Sequence, residues 1–445
     1  MKRQKTMRNK RILILGAGLV SRPIVHYLTE LDNTDVTVAS RTVSKAEALV
    51  AGRPRGRAVA LDVLQDTAGL EQRIRDCDIA VSLLPATEHV RVAELCLKHR
   101  KMMATTSYIS PAMQALDAKV RDAGLTFINE CGVDPGLDHM SAMRVIHEAA
   151  AKGGTVESFR SYCGGLPAPE ANTNPIGYKF SWAPRGVLTA ATNPARYRQD
   201  GSIVEIPGDE IFANPEQVVI EGAGTFEGYP NRDSLPYGSL YGLDGARTMF
   251  RGTLRNTGHC ETWYQWVKLG LFSQTLRPEI AGMTYRQFMC AIAGDDDPKR
   301  GLAHKTGLPE TAAFIDRLEW LGMFADAPIG LQGAGNIDVM AARMLEKCEF
   351  APGERDMLVM QHEFVIDHAG KKENRISTLV EFGIPGGDSA MARTVSLPVA
   401  IAVRMLLDGT ITQRGVIAPI LPEIYNPILD ELAGLGITFK ERVLA

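Results

Sequence analysis

Residues Arg11 to Pro23 read RILILGAGLVSRP, an apolar run that enters a Gly16-Ala17-Gly18 turn and leaves it through Leu19 and Val20. Val20, Ile24, Leu28 and Leu31 then recur at helical spacing. Strand, glycine turn and helix in that order suit the pyrophosphate of a dinucleotide. A missing β-carbon lets the backbone approach the phosphates, and the helix N-terminus offers N–H groups and a partial positive charge. Gly16, Ala17, Gly18, Leu19 and Val20 are therefore candidate cofactor contacts; Ser21 stands where the usual fingerprint has its third glycine. About 20 residues past the glycines an NAD site commonly carries Asp or Glu for the ribose 2′-hydroxyl. Here the sequence is Ser40-Arg41-Thr42, which suits the dianionic 2′-phosphate of NADP through charge-assisted hydrogen bonds. The bland alternative is a surface arginine after a strand, but the fold places this position independently, so NADP(H) is the expected cofactor. Asp62-Val63 and Leu83-Leu84 are expected to flank the adenine and inner ribose. Arg53, Arg55 and Arg57 read as a solvated loop with no ligand.

Two further constellations carry polar chemistry. The first joins Thr105-Thr106-Ser107-Tyr108 to Asn129 through His139, at the carboxyl ends of expected strands, where doubly wound folds bind ligands. The second runs from Ser161 through Glu170 and on through Asn174 to Trp182. Its glycines and prolines read as a binding loop rather than a regular element. The seven cysteines are scattered with no C-x-x-C pair, so neither a zinc site nor a disulfide framework is expected. This usage suggests a reduced, cytoplasmic interior.

The elements that must position these residues follow from periodicity. Strand-like runs at 11–16, 35–41, 58–63, 79–85, 101–108 and 125–131 alternate with helical segments, which predicts a parallel, doubly wound α/β sheet. Ser44 through Glu47 reads as a capping box, and Ser110-Pro111 as a helix start closed by Gly124. After Thr155 the rhythm becomes irregular; 278–324 reads helical. Residues 357–367 and 374–383 read as a hairpin around a 368–373 loop, and 389–407 as an apolar helix with Pro398 inside, a kink site. The 445 residues allow two or three domains, and a net charge of -3 gives no pull toward nucleic acid or an anionic membrane. The basic opening, MKRQKTMRNK, lacks the apolar region of a secretory signal and reads as a tail, with Met7 as a second candidate start. No apolar run is expected to approach the ~20 residues of a membrane span.

TTSYISPAM, DPGLDH, SYCGGLPAPE, NPIGYKFSW, YPNRDS, RGTLR, GERD and DGTITQRGVIAP are together similar to the saccharopine dehydrogenase family, within it to the NADP-dependent, L-glutamate-forming branch. The resemblance covers essentially everything after residue 10, with less similarity at 221–228. It implies an NADP-binding Rossmann domain over 8–138, completed by a C-terminal segment 388–445 whose long helix packs back on it. It also implies a mixed-sheet substrate and dimerisation domain over 139–275 and 346–387, and a small helical domain over 276–345.

The implied reaction interconverts saccharopine with L-glutamate and L-2-aminoadipate 6-semialdehyde, in lysine metabolism. Its substrate carries three carboxylates and a secondary amine. Arg232 and Arg255, with Thr253 and Leu254 beside the latter, suit carboxylate clamps; Arg251 is either a third clamp or a surface ion pair. Ser107, Tyr108 and Asp134 are assigned to substrate, with Val133, Asp134 and Pro135 also on the cofactor side. Tyr108 and Asp134 are the candidates to hold the amine and move protons; Asp134 as a mere turn former is the bland reading. Cys163 is kept as a secondary active-site residue without covalent chemistry, and His139 is read as a helix cap. No metal is expected. A homodimer is. Two other functions compete: a polyamine-forming relative such as carboxynorspermidine dehydrogenase or homospermidine synthase, and a non-catalytic NADPH-binding scaffold.

Overall fold

The protein, seen as a computed structural model, is described over residues 8–182 and 184–444; the basic opening 1–7, with Met7, lies outside them. The described residues form two compact units, one running up to 152 and taking in 387–440, the other comprising 153–386 and those from 441 on.

In the first unit short apolar runs become strands covered on both faces, as Ile12, Leu13, Ile14 and Leu15, all at most 1% exposed, illustrate. These strands are β1 (Lys10–Leu15), β2 (Thr34–Ser40), β3 (Gly56–Ala60), β4 (Ile79–Ser82), β5 (Met102–Thr105) and β6 (Thr126–Ile128). Among the described residues they form a seven-stranded parallel sheet in the order β6-β5-β4-β1-β2-β3, with Gly415–Ile417 added outside β6. The order reverses between β1 and β4, so a crevice opens at their carboxyl ends. Helix Ala390–Asp408, capped by Ser389 and with Pro398 inside, packs on helix Arg22–Glu30. Against expectation, it is long and apolar enough to cross a membrane by length and composition, but most of it is buried, as in a core helix.

Local signals at helix starts divide. Ser110 caps as expected, its Oγ accepting from Met113 N at 3.1 Å. The capping box at Ser44 does not form: the helix begins at Val43 with Thr42 as N-cap and no side-chain bond.

The second unit holds a mixed sheet, nine-stranded among the described residues. Its centre is Thr155–Pro167, parallel to Thr248–Arg255 on one side and antiparallel to Asp356–His368 on the other. This corrects the loop reading of SYCGGLP. The glycines serve close packing inside a strand: a β-carbon at Gly164 would lie 2.7 Å from the Leu254 carbonyl oxygen. The segment 174–182 is irregular as read but not open: Ile176, Tyr178 and Phe180 are buried in the core, and Lys179 pairs with Glu354 at 2.6 Å. The late hairpin is tighter than expected, since Asp356–His368 and Lys371–Phe382 pair through to His368↔Lys371. Helices between Tyr285 and Lys347 close over a core containing Trp263 and Trp266.

Candidate active site

In the first unit the glycine turn sits at the reversal of strand order. Gly16 has φ +113, and a β-carbon there would lie 2.9 Å from the Leu83 carbonyl oxygen, whereas one at Gly18 would meet nothing within 4 Å. Ser21 explains its own departure from the fingerprint. Its buried hydroxyl donates to Gly16 O at 3.3 Å and accepts from Gly18 N at 3.0 Å, tying the turn together. Leu19 is exposed. The turn therefore keeps the open face that a pyrophosphate needs.

At the end of β2, Ser40 Oγ accepts from Thr42 N at 3.2 Å, and Arg41 is exposed, with no ion pair among the described residues. No acidic side chain occupies this position. A free guanidinium beside two hydroxyls fits the 2′-phosphate of NADP. Asp62 Oδ1 accepts from Leu64 N at 3.0 Å and Gln65 N at 3.3 Å, so this carboxylate holds its own turn. Val63, Leu83 and Leu84 are half-buried beyond β3 and β4.

The first polar constellation closes into one network. Tyr108 donates its hydroxyl to Asp134 Oδ1 at 2.7 Å, joining the loops after β5 and β6. Gly132 N donates to Pro135 O at 2.9 Å, which folds the 132–136 loop on itself with Val133 buried. His139 is not a helix cap. Its buried ring places Nε2 2.7 Å from Glu130 Oε2 and Nδ1 3.6 Å from Asp138 Oδ2, and Glu130 Oε1 accepts from Ile109 N at 2.8 Å. Glu130 and His139 thus brace the Tyr108 loop from behind.

Sequence reasoning missed His89. Its Nδ1 lies 2.8 Å from Ser82 Oγ and its Nε2 2.8 Å from Ser107 Oγ, so it links the ends of β4 and β5. A lone histidine on a helix gives no signal of this. Burial holds its ring down at about 4. Between the ordinary value and that one the unfolded chain binds a proton that the native ring refuses, so stability rises with pH across that window and is lost as pH falls through it. His89→Gln is expected to flatten this acid-side slope by ~2 kcal/mol between pH 7 and 4.5. Urea unfolding of parent and variant at both pH values checks it, and identical slopes would count against a neutral native ring.

The second unit gathers Cys163, Thr253, Leu254 and Arg255. Cys163, buried, faces Thr253 across the parallel pair. Leu254 and Thr253 lie between two paired strands, opposite Gly228 and Tyr229 on the other side. Arg255 is 7% exposed, and its guanidinium carbon lies 5.2 Å from the centre of the Tyr178 ring. Its Nη1 donates to Leu254 O at 2.8 Å, while its Nε has no partner. Among the described residues no carboxylate pairs with it. The directly opposed Glu227 gives its two oxygens to Gly258 N, 2.7 Å, and Cys260 N, 2.8 Å, at the start of the next helix. Burial pushes the Tyr229 hydroxyl beside Arg255 up to about 12, so it stays protonated. A buried cation among neutral groups is costly and leaves a demand for a counter-anion. Arg232, by contrast, is exposed with φ +56, just beyond the strand Gly224–Pro230. Its neighbour Asp233 bonds Leu235 N at 3.0 Å and Arg196 at 3.3 Å. Arg251 is buried, its guanidinium 4.2 Å from the Tyr237 ring centre, so it is not a surface arginine. The described residues contain no cluster of His, Cys, Asp and Glu fit for a metal.

A parallel sheet in this order, with a glycine turn where the order reverses, defines a Rossmann-type dinucleotide-binding protein. Residues 12–128 match the family profile described as saccharopine dehydrogenase NADP binding domain, and 132–437 that of the saccharopine dehydrogenase C-terminal domain. The chain belongs to the saccharopine dehydrogenase family. It is 41% identical, over 98% of its length and all of the relative's, to saccharopine dehydrogenase [NADP(+), L-glutamate-forming] of Saccharomyces cerevisiae. It is 38% identical to the Schizosaccharomyces pombe protein of the same name, over 97% of this chain and 99% of the relative. A solved structure of apo saccharopine dehydrogenase (L-Glu forming) from Saccharomyces cerevisiae superposes with a TM-score of 0.88 at 39% identity, covering 98% of this chain and 100% of that one.

Proposed function

We propose that the chain is an NADP-dependent oxidoreductase that interconverts saccharopine with L-glutamate and L-2-aminoadipate 6-semialdehyde, acting on a CH–NH bond in lysine metabolism. The observation that carries this reading, beside full-length relatives of that name, is Arg255, a buried guanidinium with no carboxylate partner. A polyamine precursor, rich in amines, would be repelled there, which sets the polyamine alternative behind.

Gly16 to Val20 would hold the pyrophosphate, and Ser40, Arg41 and Thr42 the 2′-phosphate. Val63, Leu83 and Leu84 would line the adenosine side, with Asp62 shaping its turn, and Val133 to Pro135 the nicotinamide side. The cofactor, when bound, supplies or accepts a hydride at the substrate carbon bearing nitrogen. Oxidation turns the secondary amine of saccharopine into an imine, and water then splits the imine into the two products. Tyr108, donating to Asp134, orients the substrate nitrogen and its proton, with Ser107 fixed beside them by His89. Arg255 and Arg232 take substrate carboxylates, and Cys163 fills the wall near Arg255. A three-region division, with a helical region over 276–345, a homodimer and a cytoplasmic location belong to the same reading; light scattering on the purified protein checks the dimer.

A spectrophotometric assay of saccharopine with NADP⁺, with NAD⁺ in parallel, tests the function, and no turnover with either cofactor overturns it. Arg41→Ala is expected to weaken NADP(H) binding by about 1.5–3 kcal/mol, the scale of hydrogen bonds to charged groups, and to leave NAD(H) binding nearly unchanged. Fluorescence titration measures both, and equal losses for the two cofactors would remove Arg41 from the phosphate site.

A further inference from the structure

The Arg255 receptor has a neighbour that nothing so far employs. His259 opens the helix His259–Lys268 and is 2% exposed, yet neither of its ring nitrogens has a hydrogen-bond partner. Its ring stacks on Trp263 at 4.5 Å, and its centre lies 6.3 Å from that of Tyr178, the ring that also carries the Arg255 guanidinium. A neutral imidazole brings one N–H donor and one acceptor, and burying both unused is costly. The charges around the ring say what it awaits. Burial first, then the cations Arg255 and Arg317, keep it neutral. Arg317 is already spent on Pro175 O at 2.7 Å, Gly258 O at 2.6 Å and Thr262. The carboxylate of Glu227 is spent on backbone N–H groups. An ammonium ligand would enter a positive field with no counter-charge. An anion would meet one.

We infer that His259 and Arg255 together receive one carboxylate of a dicarboxylic amino-acid substrate, the imidazole N–H serving as a further donor beside the guanidinium. This rests on the reading of Arg255 given above. Such a pair takes a carboxylate, an acceptor-only group with several lone pairs, in preference to its amide, whose NH₂ would face donors.

Steady-state kinetics with saccharopine at saturating NADP⁺ on His259→Phe, His259→Gln and Arg255→Leu test it, with NADPH binding as the check of fold. His259→Phe keeps the stack on Trp263 and removes the donor. It is expected to raise KM ~10-fold or more with kcat within about twofold, and His259→Gln, which keeps an N–H, to recover most of the loss. If His259→Phe keeps the parental KM while Arg255→Leu loses it, the ring only packs and the inference falls, with the Arg255 reading intact. If Arg255→Leu also keeps the parental KM, both fall. Should His259→Phe fail to bind NADPH, ¹⁵N-histidine spectra of the parent protein titrated with L-glutamate decide. The His259 ring signal, assigned by its loss in His259→Gln, is expected to shift, and a signal that stays put overturns the inference.

Discussion

Arg255→Ala is expected to raise the Michaelis constant for saccharopine by ~10²–10³-fold while sparing NADP(H) affinity, since two charge-assisted hydrogen bonds contribute ~1.5–3 kcal/mol each and are not fully additive. Arg255→Lys should restore little, because one ammonium cannot reproduce a planar fork. The same position carries a second expectation of opposite sign. In the free protein the guanidinium is buried without a carboxylate partner, so it costs folding energy. Arg255→Met, similar in length and apolar, should therefore raise stability by about 1 kcal/mol or more as it abolishes productive binding. Kinetics and urea unfolding of the three variants read both effects. A variant that keeps the parental Michaelis constant, or an Arg255→Met that is plainly destabilised, would show that the cation is structural.

Asp134→Ala and Tyr108→Phe are expected to lower turnover by ~10²–10⁴-fold, the usual range for positioned proton help. The 2.7 Å bond from the Tyr108 hydroxyl to Asp134 Oδ1 makes them one unit. Losing either partner leaves the other misdirected, so the double variant should fall little below the worse single one. Cys163→Ser should cost far less, since a buried thiol inside the strand Thr155–Pro167 has a packing role at hand. Inactivity of Cys163→Ser in a protein that still binds NADPH would reverse that ranking. Fully additive losses at Tyr108 and Asp134 would mean that they act separately.

Where the sequence could be read, the signal was local. Ile12 to Leu15 is a continuous apolar run, Gly16 and Gly18 follow at once, and Ser110-Pro111 carries its own cap; neighbours along the chain settle such features. Where it misled, the deciding contact came from far away. Ser161 to Pro167 looked like a loop because glycine and proline weaken strands, but Leu254 packs against Gly164 where no side chain would fit. Ser44 had the pattern of a capping box, but the helix starts two residues earlier than that box requires, at Val43 with Thr42 as its N-cap. His139 looked like a cap until Glu130 was found 2.7 Å away, and His89 was invisible because Ser82 and Ser107 meet it only across two strand ends.

The sequence by itself determined the parallel sheet, the glycine turn and the arginine that follows β2, because periodicity, turn chemistry and strand-end placement are properties of short stretches. Only the tertiary structure decided which charges remain uncompensated. Arg255 and Glu227 face each other in register, and nothing in their spacing says that the carboxylate will turn to the N–H groups of Gly258 and Cys260. That choice leaves the guanidinium buried without a counter-ion, because hydrogen-bond accounting closes over the whole fold and not along the chain.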